Sequence, residues 1–556
     1  MNALANREEL QKRWYHEGYF GTATLADHMR DGAKAHPNER MIFHSAERPA
    51  ESNLALMYER SSAVARGLWS LGLRPGDVLA IQVPNWLEGA ITYQAAMQLG
   101  VLIVPIVHIY GPAEVGFILR QSKAKALVVP DRWRTIDYLE RVAAIGKNEF
   151  LEHLIVIQSE SDGASSRPLA ESPIGTSFPT VQIHDWAALE HLRSEPLSPS
   201  NTCADDPCLL IYTSGTTAEP KGVLHTHNTL IAEVQSLNEV YIKGPQAVSM
   251  GSFPAGHIAG VLNLLRMFVL GMSSVILDQW DPVAAASLVE QHQVTQTSGA
   301  PFHLMSLIEA ASANGNDLSS LQGFMVGAAS VPPSLVEEAE RAGIRAFRGY
   351  GSSEHPVISS GRPTMDSLHK RATTDGALTP GNEIRLVGED DLDVGVGVDG
   401  EIVARGPEQF IGYNNPAHNV DAFMPGGWFR TGDIGRLDAD GYLTITDRKK
   451  DVIIRGGENI ASKEVEDLLA LHPSVLEAAV VGKSDSRYGE RVVAFLILRA
   501  GTSLDLAEVQ RHFVALGVAK QKTPEFVEVV TELPRGMSGK VKKVELRARL
   551  TAASNS

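Results

Sequence analysis

The sequence predicts an α/β fold in two unequal parts, and three observations carry that prediction. Short apolar runs alternate with helical patterns over the first two thirds of the chain; glycine-rich short strands follow; a helix–strand–strand–helix pattern comes last. At 556 residues the chain exceeds what one hydrophobic core organises, so at least two domains are expected.

From about residue 22 to residue 202, helical stretches such as LALMYERSSAVARGLWSLGL alternate with DVLAIQVP, VLIVPIV and KALVVP. That βαβ rhythm implies mixed or parallel sheets covered by helices. The polar stretch SESDGASSRPLAESPIGTS reads as a surface excursion. The rhythm resumes through CLLIYT, SSVILD and GFMVGAA. The most apolar segment, IAGVLNLLRMFVLGMSSVIL, is interrupted by Asn263 and Arg266, and Gly271 divides it into a helix and a strand. It therefore reads as a buried unit and not as a membrane span. From about Gly376 the runs NEIRLVG, GEIVARG and GYLTITD give a small β-rich unit. After Thr446–Asp451, SKEVEDLLALHP and DLAEVQRHFVAL read as helices, VLEAAVVG and ERVVAFLILR as strands. The expected division is residues 1–448, a large domain of mixed sheets with its β-rich unit, and residues 449–556, a small α+β domain.

Composition narrows the function. A chain 44% hydrophobic and 21% charged is globular, and a net charge of -16 excludes a general nucleic-acid binder. Cys203 and Cys208 make no disulfide framework and lack the companions a zinc site needs. The polar start MNALANREELQKRW carries no apolar signal core, so a cytoplasmic protein without a transmembrane segment is expected. One region departs from the acidic balance: Arg535, Lys540, Lys542, Lys543, Arg547 and Arg549 face only Glu545. Such a run is either a solvated surface or a set of charges aimed at phosphates.

The chemistry starts from TSGTTAEPKG, Thr213 to Gly222, after the strand-like CLLIY. The spacing from Gly215 to Lys221 is that of a Walker loop, but Pro220 and Gly222 flank the lysine. One reading is a polar turn. The other is an anion cradle, in which Gly215 lets backbone N–H groups approach, Ser214, Thr216 and Thr217 add donors, and Lys221 adds charge.

Four later segments follow in order: Gly349-Tyr350-Gly351-Ser352-Ser353-Glu354, Thr431-Gly432-Asp433, Gly456-Gly457-Glu458-Asn459, and Pro534-Arg535-Gly536-Met537-Ser538-Gly539-Lys540. Together with the loop they resemble the adenylate-forming superfamily, specifically its acyl-CoA synthetases, from about Ala26 to Lys543. The resemblance implies an enzyme that joins a carboxylic acid to ATP as an acyl-adenylate with pyrophosphate leaving, then transfers the acyl group to CoA with AMP leaving. Mg²⁺ is the implied metal. Lys540 matches the catalytic lysine between the acid's carboxylate and the α-phosphate. Glu354 matches the magnesium ligand, with Thr217 beside it. Thr213, Ser214, Gly215, Thr216, Thr217 and Lys221 match the pyrophosphate contacts. Tyr350 resembles the aromatic on adenine, followed by Gly351, Ser352 and Ser353, and Gly327, Ala328 and Ala329 resemble the backbone wall beside it. Asp433 and Arg448 match ribose contacts, with a hairpin salt bridge as the alternative. The family swings its small domain about a hinge that falls at Lys450, exchanging Lys540 for Gly456 and Gly457, which line a thiol tunnel.

Phe253-Pro254-Ala255-Gly256-His257-Ile258-Ala259-Gly260 resembles the segment beside the acid, with His257 as a gate; a plain interior histidine is the other reading. Ala255, Gly256, Ala259 and Gly260 are expected to leave room for a bulky acyl group. HTHNTL most resembles synthetases for cyclic, aryl and medium-chain acids. No cationic partner for a second polar group on the acid is identifiable, so a hydrophobic monoacid is expected. Two rivals stand: loading of a carrier-protein phosphopantetheine, disfavoured because the chain stops soon after Lys540, and a non-catalytic nucleotide-binding relative. The oligomeric state stays open, a homodimer included. Where the family has glycine, this loop has Ala218, expected to keep a right-handed backbone.

Overall fold

The computed structural model describes residues 3–159, 174, 178–192, 202–213, 220–241, 247–329, 331–455, 458–485, 487–536 and 540–554. Ser214, Gly215, Thr216, Thr217, Ala218, Gly456 and Gly457 lie outside the described residues, as does most of the polar SESDGASSRPLAESPIGTS stretch.

Among the described residues, two large sheets carry the first two thirds of the chain. The eight-stranded one is built on parallel strands Leu102–Pro105, Val78–Ile81, Ala126–Pro130 and His153–Ile157, and Pro207–Thr213 joins its edge beside Leu102–Pro105. Lys221–Thr226 then returns antiparallel to Pro207–Thr213, pairing Thr213 with Lys221. The nine-stranded sheet runs in parallel through Ala346–Tyr350, Gly323–Val326, Gln296–Gly299, Val248–Gly251, Ser273–Leu277 and Arg40–His44. The sheets do not follow chain order: Arg40–His44, early in the chain, lies in the nine-stranded sheet between Ser273–Leu277 and Ala50–Asn53, and Pro207–Thr213 extends the eight-stranded one.

Helix starts follow local chemistry. Thr226 caps His227–Val240 in a reciprocal box with Thr229, and Asp281 caps Pro282–His292 with proline at the first turn. Each such cap is worth about 1 kcal/mol. Gly271 ends Ile258–Leu270 at φ +61, and a Cβ there would lie 2.3 Å from the His36 ring, so the predicted helix–strand division is observed for two reasons at once.

The predicted β-rich unit is a third sheet, Glu383–Val387, Gly400–Arg405, Trp428–Leu437 and Phe423–Met424, with Leu443–Arg448 on Trp428–Leu437. A buried ion pair fastens it to the nine-stranded sheet: Arg348 grips Asp375 with Nε at 2.9 Å and Nη2 at 2.8 Å, and Asp375 accepts the Ile445 N–H at 2.8 Å. A fourth sheet, Glu458–Ile460, Ile453–Arg455, Gly489–Leu498 and Val475–Asp485, packs the helices Ser462–Ala470 and Leu506–Ala515 over Val480, Val492 and Leu496. No helix among the described residues is long and apolar enough to cross a membrane.

Candidate functional site

In open α/β sheets ligands bind beyond the carboxyl ends of the strands. There the nine-stranded sheet presents Ser298–Gly299, Gly327–Ala329 and Tyr350–Glu354. Gly327 cannot carry a side chain, because a Cβ would lie 2.9 Å from the Gly349 carbonyl oxygen. Gly351 is tighter still, at 1.8 Å from the Pro356 oxygen. Ala328 stands at φ +63, exposed. A left-handed alanine costs about 1–2 kcal/mol, so the strained alanine of the described site is here. Its propensity gave no sign of this; only its place after a buried strand did.

Tyr350, Asp433 and Arg448 meet. The Tyr350 hydroxyl donates to Asp433 Oδ2 at 2.9 Å, and Arg448 Nε donates to Oδ1 at 2.8 Å. Asp433 and Arg448 are register partners on Trp428–Leu437 and Leu443–Arg448, so the hairpin salt bridge weighed from the sequence exists. It does not exhaust the carboxylate, since each oxygen keeps further acceptor capacity. Burial and the Asp433 charge push the Tyr350 hydroxyl well above its ordinary pKa, fixing it as a donor. Its ring rests on the cluster of Leu386, Ile402 and Leu443.

A second group forms where the two large sheets meet. Lys221 Nζ lies 5.0 Å from the centre of the Tyr413 ring, and the Tyr413 hydroxyl donates to Glu354 Oε1 at 2.8 Å. The Thr213 hydroxyl donates to the Lys221 carbonyl at 3.4 Å. The loop between Tyr350 and Glu354 is braced by Ser352 N–H to the His355 carbonyl (2.8 Å) and by the Ser353 carbonyl against His225 Nε2 (2.8 Å). Glu354 thus presents a half-buried carboxylate beside a lysine. That donor set fits Mg²⁺, which keeps water and phosphate oxygens and needs few protein ligands.

Lys540 reaches this site from the small domain. Crowding of its ammonium, then the charges of Arg448 and Lys450, lowers its pKa to about 8, with Asp433 and Asp451 acting the other way. The residue itself remains open to solvent.

His257 caps Ile258–Leu270 at its N-terminus, with Nε2 unpartnered and burial holding its pKa at about 4. Four residues earlier, Phe253 lies 5.7 Å from the ring of His303, which Trp280 approaches at 4.7 Å and which burial holds at about 4. Gly256 and Gly260 do not make room for a ligand, contrary to expectation. A Cβ on Gly256 would meet the Val107 backbone at 2.4 Å, and one on Gly260 the Pro254 oxygen at 2.0 Å. Ala255 is held by Asn85 and Tyr93. Close backbone packing requires them.

Sequence reasoning missed Arg266. Buried on the same helix, it stacks 4.1 Å from the Tyr241 ring centre, and its Nε and Nη2 find no hydrogen-bond partner among the described residues. Glu233 and Glu408, both buried, lie behind it; burial raises both carboxyls, and the Glu233 charge raises that of Glu408 further. The one available signal was a charge interrupting an apolar run.

Comparison with known proteins agrees with this geometry. A family model described as AMP-binding enzyme matches residues 29–414, and its C-terminal domain model matches 464–540. The medium-chain fatty-acid–CoA ligase of Escherichia coli is 32% identical over 552 residues, 98% of this chain and 93% of that one. A feruloyl-CoA synthase from an Amycolatopsis species is 31% identical over 93% of this chain and 97% of its own. The structure of o-succinylbenzoate–CoA synthetase from Bacillus subtilis with its acyl-adenylate superposes with a TM-score of 0.78 at 26% identity, covering 95% of this chain and 99% of that one. The same enzyme with ATP and magnesium gives 0.77 at 26%, covering 94% and 99%. The chain belongs to the AMP-binding enzyme family. It is an ATP-dependent acid–CoA ligase, forming an acyl-adenylate and passing the acyl group to CoA, with Mg²⁺ as the metal.

Proposed function

We propose that the acid is a hydrophobic monocarboxylate of the medium-chain, cyclic or aryl kind. The observation that carries this reading is the uncharged character of the 253–260 segment and of the rings packed on Phe253: aromatic rings, and histidines that burial keeps neutral, offer no charge to a second polar group. The relatives named for medium-chain fatty acids and ferulate support it. Arg266 favours a second reading, an acid with a hydrogen-bonding group at its far end that would meet the two unpartnered nitrogens. A panel scored by CoA-dependent AMP release decides: octanoate, cyclohexanecarboxylate and benzoate should lead, whereas a lead by dicarboxylates or ω-hydroxy acids favours the second reading. Activity on acetate alone refutes both.

In this reading the site works by bringing two anions together and stabilising charge, without a covalent nucleophile. Asp433, with Arg448, holds the ribose; Tyr350 lies against adenine, with Gly327, Ala328 and Ala329 as the wall. Lys221, Thr213 and the loop hydroxyls Ser214, Thr216 and Thr217 meet the β- and γ-phosphates. Glu354 would hold Mg²⁺, which when bound would neutralise phosphate charge. Lys540 Nζ draws the acid's carboxylate and the α-phosphate together. His257 stands beside the carboxylate as an uncharged gate. The small domain then turns at Lys450 to bring in CoA along Gly456 and Gly457. The reaction belongs in the cytoplasm, where the free thiols Cys203 and Cys208 stay reduced.

A further inference from the structure

The segment that follows Lys540 is tied to the large domain through a chain of contacts. Lys543 opens the helix Lys543–Ser554. Its Nζ donates to Ser462 Oγ at 2.7 Å and lies 2.7 Å from Glu466 Oε1. Ser462 in turn gives both its N–H (2.6 Å) and its hydroxyl (3.0 Å) to Asp447. Asp447 sits on Leu443–Arg448, paired with Ile434 of the third sheet, so it belongs to the large domain. Ser462 and Glu466 sit on Ser462–Ala470, whose Val465 and Leu469 pack in the core of the small one. The four residues therefore cross the boundary.

The connection between the domains is anchored on both sides of one residue. Lys449 donates to Glu401 at 2.9 Å on the large domain, and Asp451 accepts from Arg547 at 2.8 Å on the small one. Lys450 lies between. Lys543 is also the cation that offsets three buried carboxylates, Asp447, Asp451 and Glu466. Removing a partner from such a group leaves buried charge uncompensated.

We infer that Asp447, Ser462, Lys543 and Glu466 form a latch that holds the small domain where Lys540 faces Arg448 and Asp433, and that it must open for the thioester step. Lys543 is a positioning residue, acting through Lys540. The inference rests on the two-pose reading above. Because Lys543 lies only three residues from Lys540, losing its hold lets the lysine-bearing segment leave the nucleotide without altering the nucleotide's own contacts.

The test uses the full-length protein with Lys543→Gln, Lys543→Arg and Ser462→Ala. Hydrogen exchange of the 458–470 segment reads the latch without substrate: Lys543→Gln should speed it, with Lys543→Arg near wild type. Acid-dependent ATP–pyrophosphate exchange in Lys543→Gln should lose about tenfold or more in kcat, the effect of one charge-assisted hydrogen bond, with KM for ATP unchanged. Thioester formation from supplied acyl-adenylate and CoA should match wild type or exceed it. Ser462→Ala should move both readouts the same way but less, and it carries the test if Lys543→Gln fails to fold. Equal loss in both half-reactions, a loss confined to KM for CoA, or unchanged exchange would overturn the latch. Wild type that activates no acid would refute the functional reading, and the hydrogen exchange would still decide the latch.

Discussion

Replacing Asp433 by asparagine tests the proposal that its carboxylate holds the ribose of the nucleotide. The side chain keeps its size, so Arg448 Nε can still donate to the remaining oxygen, now at 2.8 Å from Oδ1, and the new amide can donate to the Tyr350 hydroxyl 2.9 Å from Oδ2. What disappears is the charge and one acceptor position. Two ribose hydroxyls then compete for one oxygen, and one loses a charge-assisted hydrogen bond of about 1.5–3 kcal/mol, roughly 10- to 150-fold in affinity. Isothermal titration of ATP in the absence of acid measures it directly, and 2′,3′-dideoxy-ATP supplies the control. Wild type should prefer ATP over the dideoxy nucleotide, and Asp433→Asn should shrink that preference by about that factor. Thermal unfolding should shift little, because the hairpin register of the two strands is kept. Equal losses for ATP and dideoxy-ATP would mean that Asp433 supports the hairpin and does not touch ribose, and the argument would fail.

Lys540→Ala should lower adenylate formation by about 10²- to 10³-fold while leaving ATP affinity nearly intact, since the lysine acts where charge develops; parallel pyrophosphate-release and binding assays separate the two. The pH profile of acid activation follows from the same side chain. Its pKa is lowered to about 8, so the ammonium is present below that pH and lost above it. Hence kcat/KM for adenylate formation should fall as pH rises through about 8, a limb that Lys540→Ala lacks; a rate that climbs over that range would contradict it. Lys450→Pro should spare adenylate formation and cripple thioester formation, because proline fixes φ at the residue between the two anchors. Equal loss of both half-reactions would count against the pivot.

The local rules were legible in the sequence, and the long-range choices were not. Gly271 could be read as a boundary because glycine takes the left-handed conformation of a helix end without strain, here at φ +61. Tyr350, Asp433 and Arg448 could be gathered through the family resemblance, although nothing in composition brings residues so distant together. Which sheet a strand joins was invisible: Arg40–His44 and Pro207–Thr213 are apolar in the same way as their neighbours, and period tells that a face is buried without telling against what. Gly256 and Gly260 misled for a related reason. A glycine that lines a cavity and a glycine that admits a neighbouring backbone read alike, and only the Val107 and Pro254 contacts separate them. Arg266 was read as a flaw in an apolar run because its counter-charges lie outside its own segment.

The cationic tail shows how far a charge count can go. From the sequence, its Lys and Arg residues were either a solvated face or a set aimed at phosphates. The structure divides them: Arg535 pairs with Glu477, Lys542 with Glu545, Lys543 with Glu466, and Arg547 with Asp451. Three of those four acids lie outside the tail, so the apparent excess of positive charge is largely answered by partners that the local sequence cannot display. Lys540 is placed differently, with its nearest charges including the cations Arg448 and Lys450. Burial depresses its pKa most and the neighbouring cations add to that, so an arriving anion offsets both. Two anions, a carboxylate and a phosphate, would do so further while the lysine lowers the repulsion between them. On the proposed reading the tail contributes one charge to chemistry and several to holding that charge in place, so the half-reaction test on Lys543 and the pH test on Lys540 address the same arrangement from opposite sides.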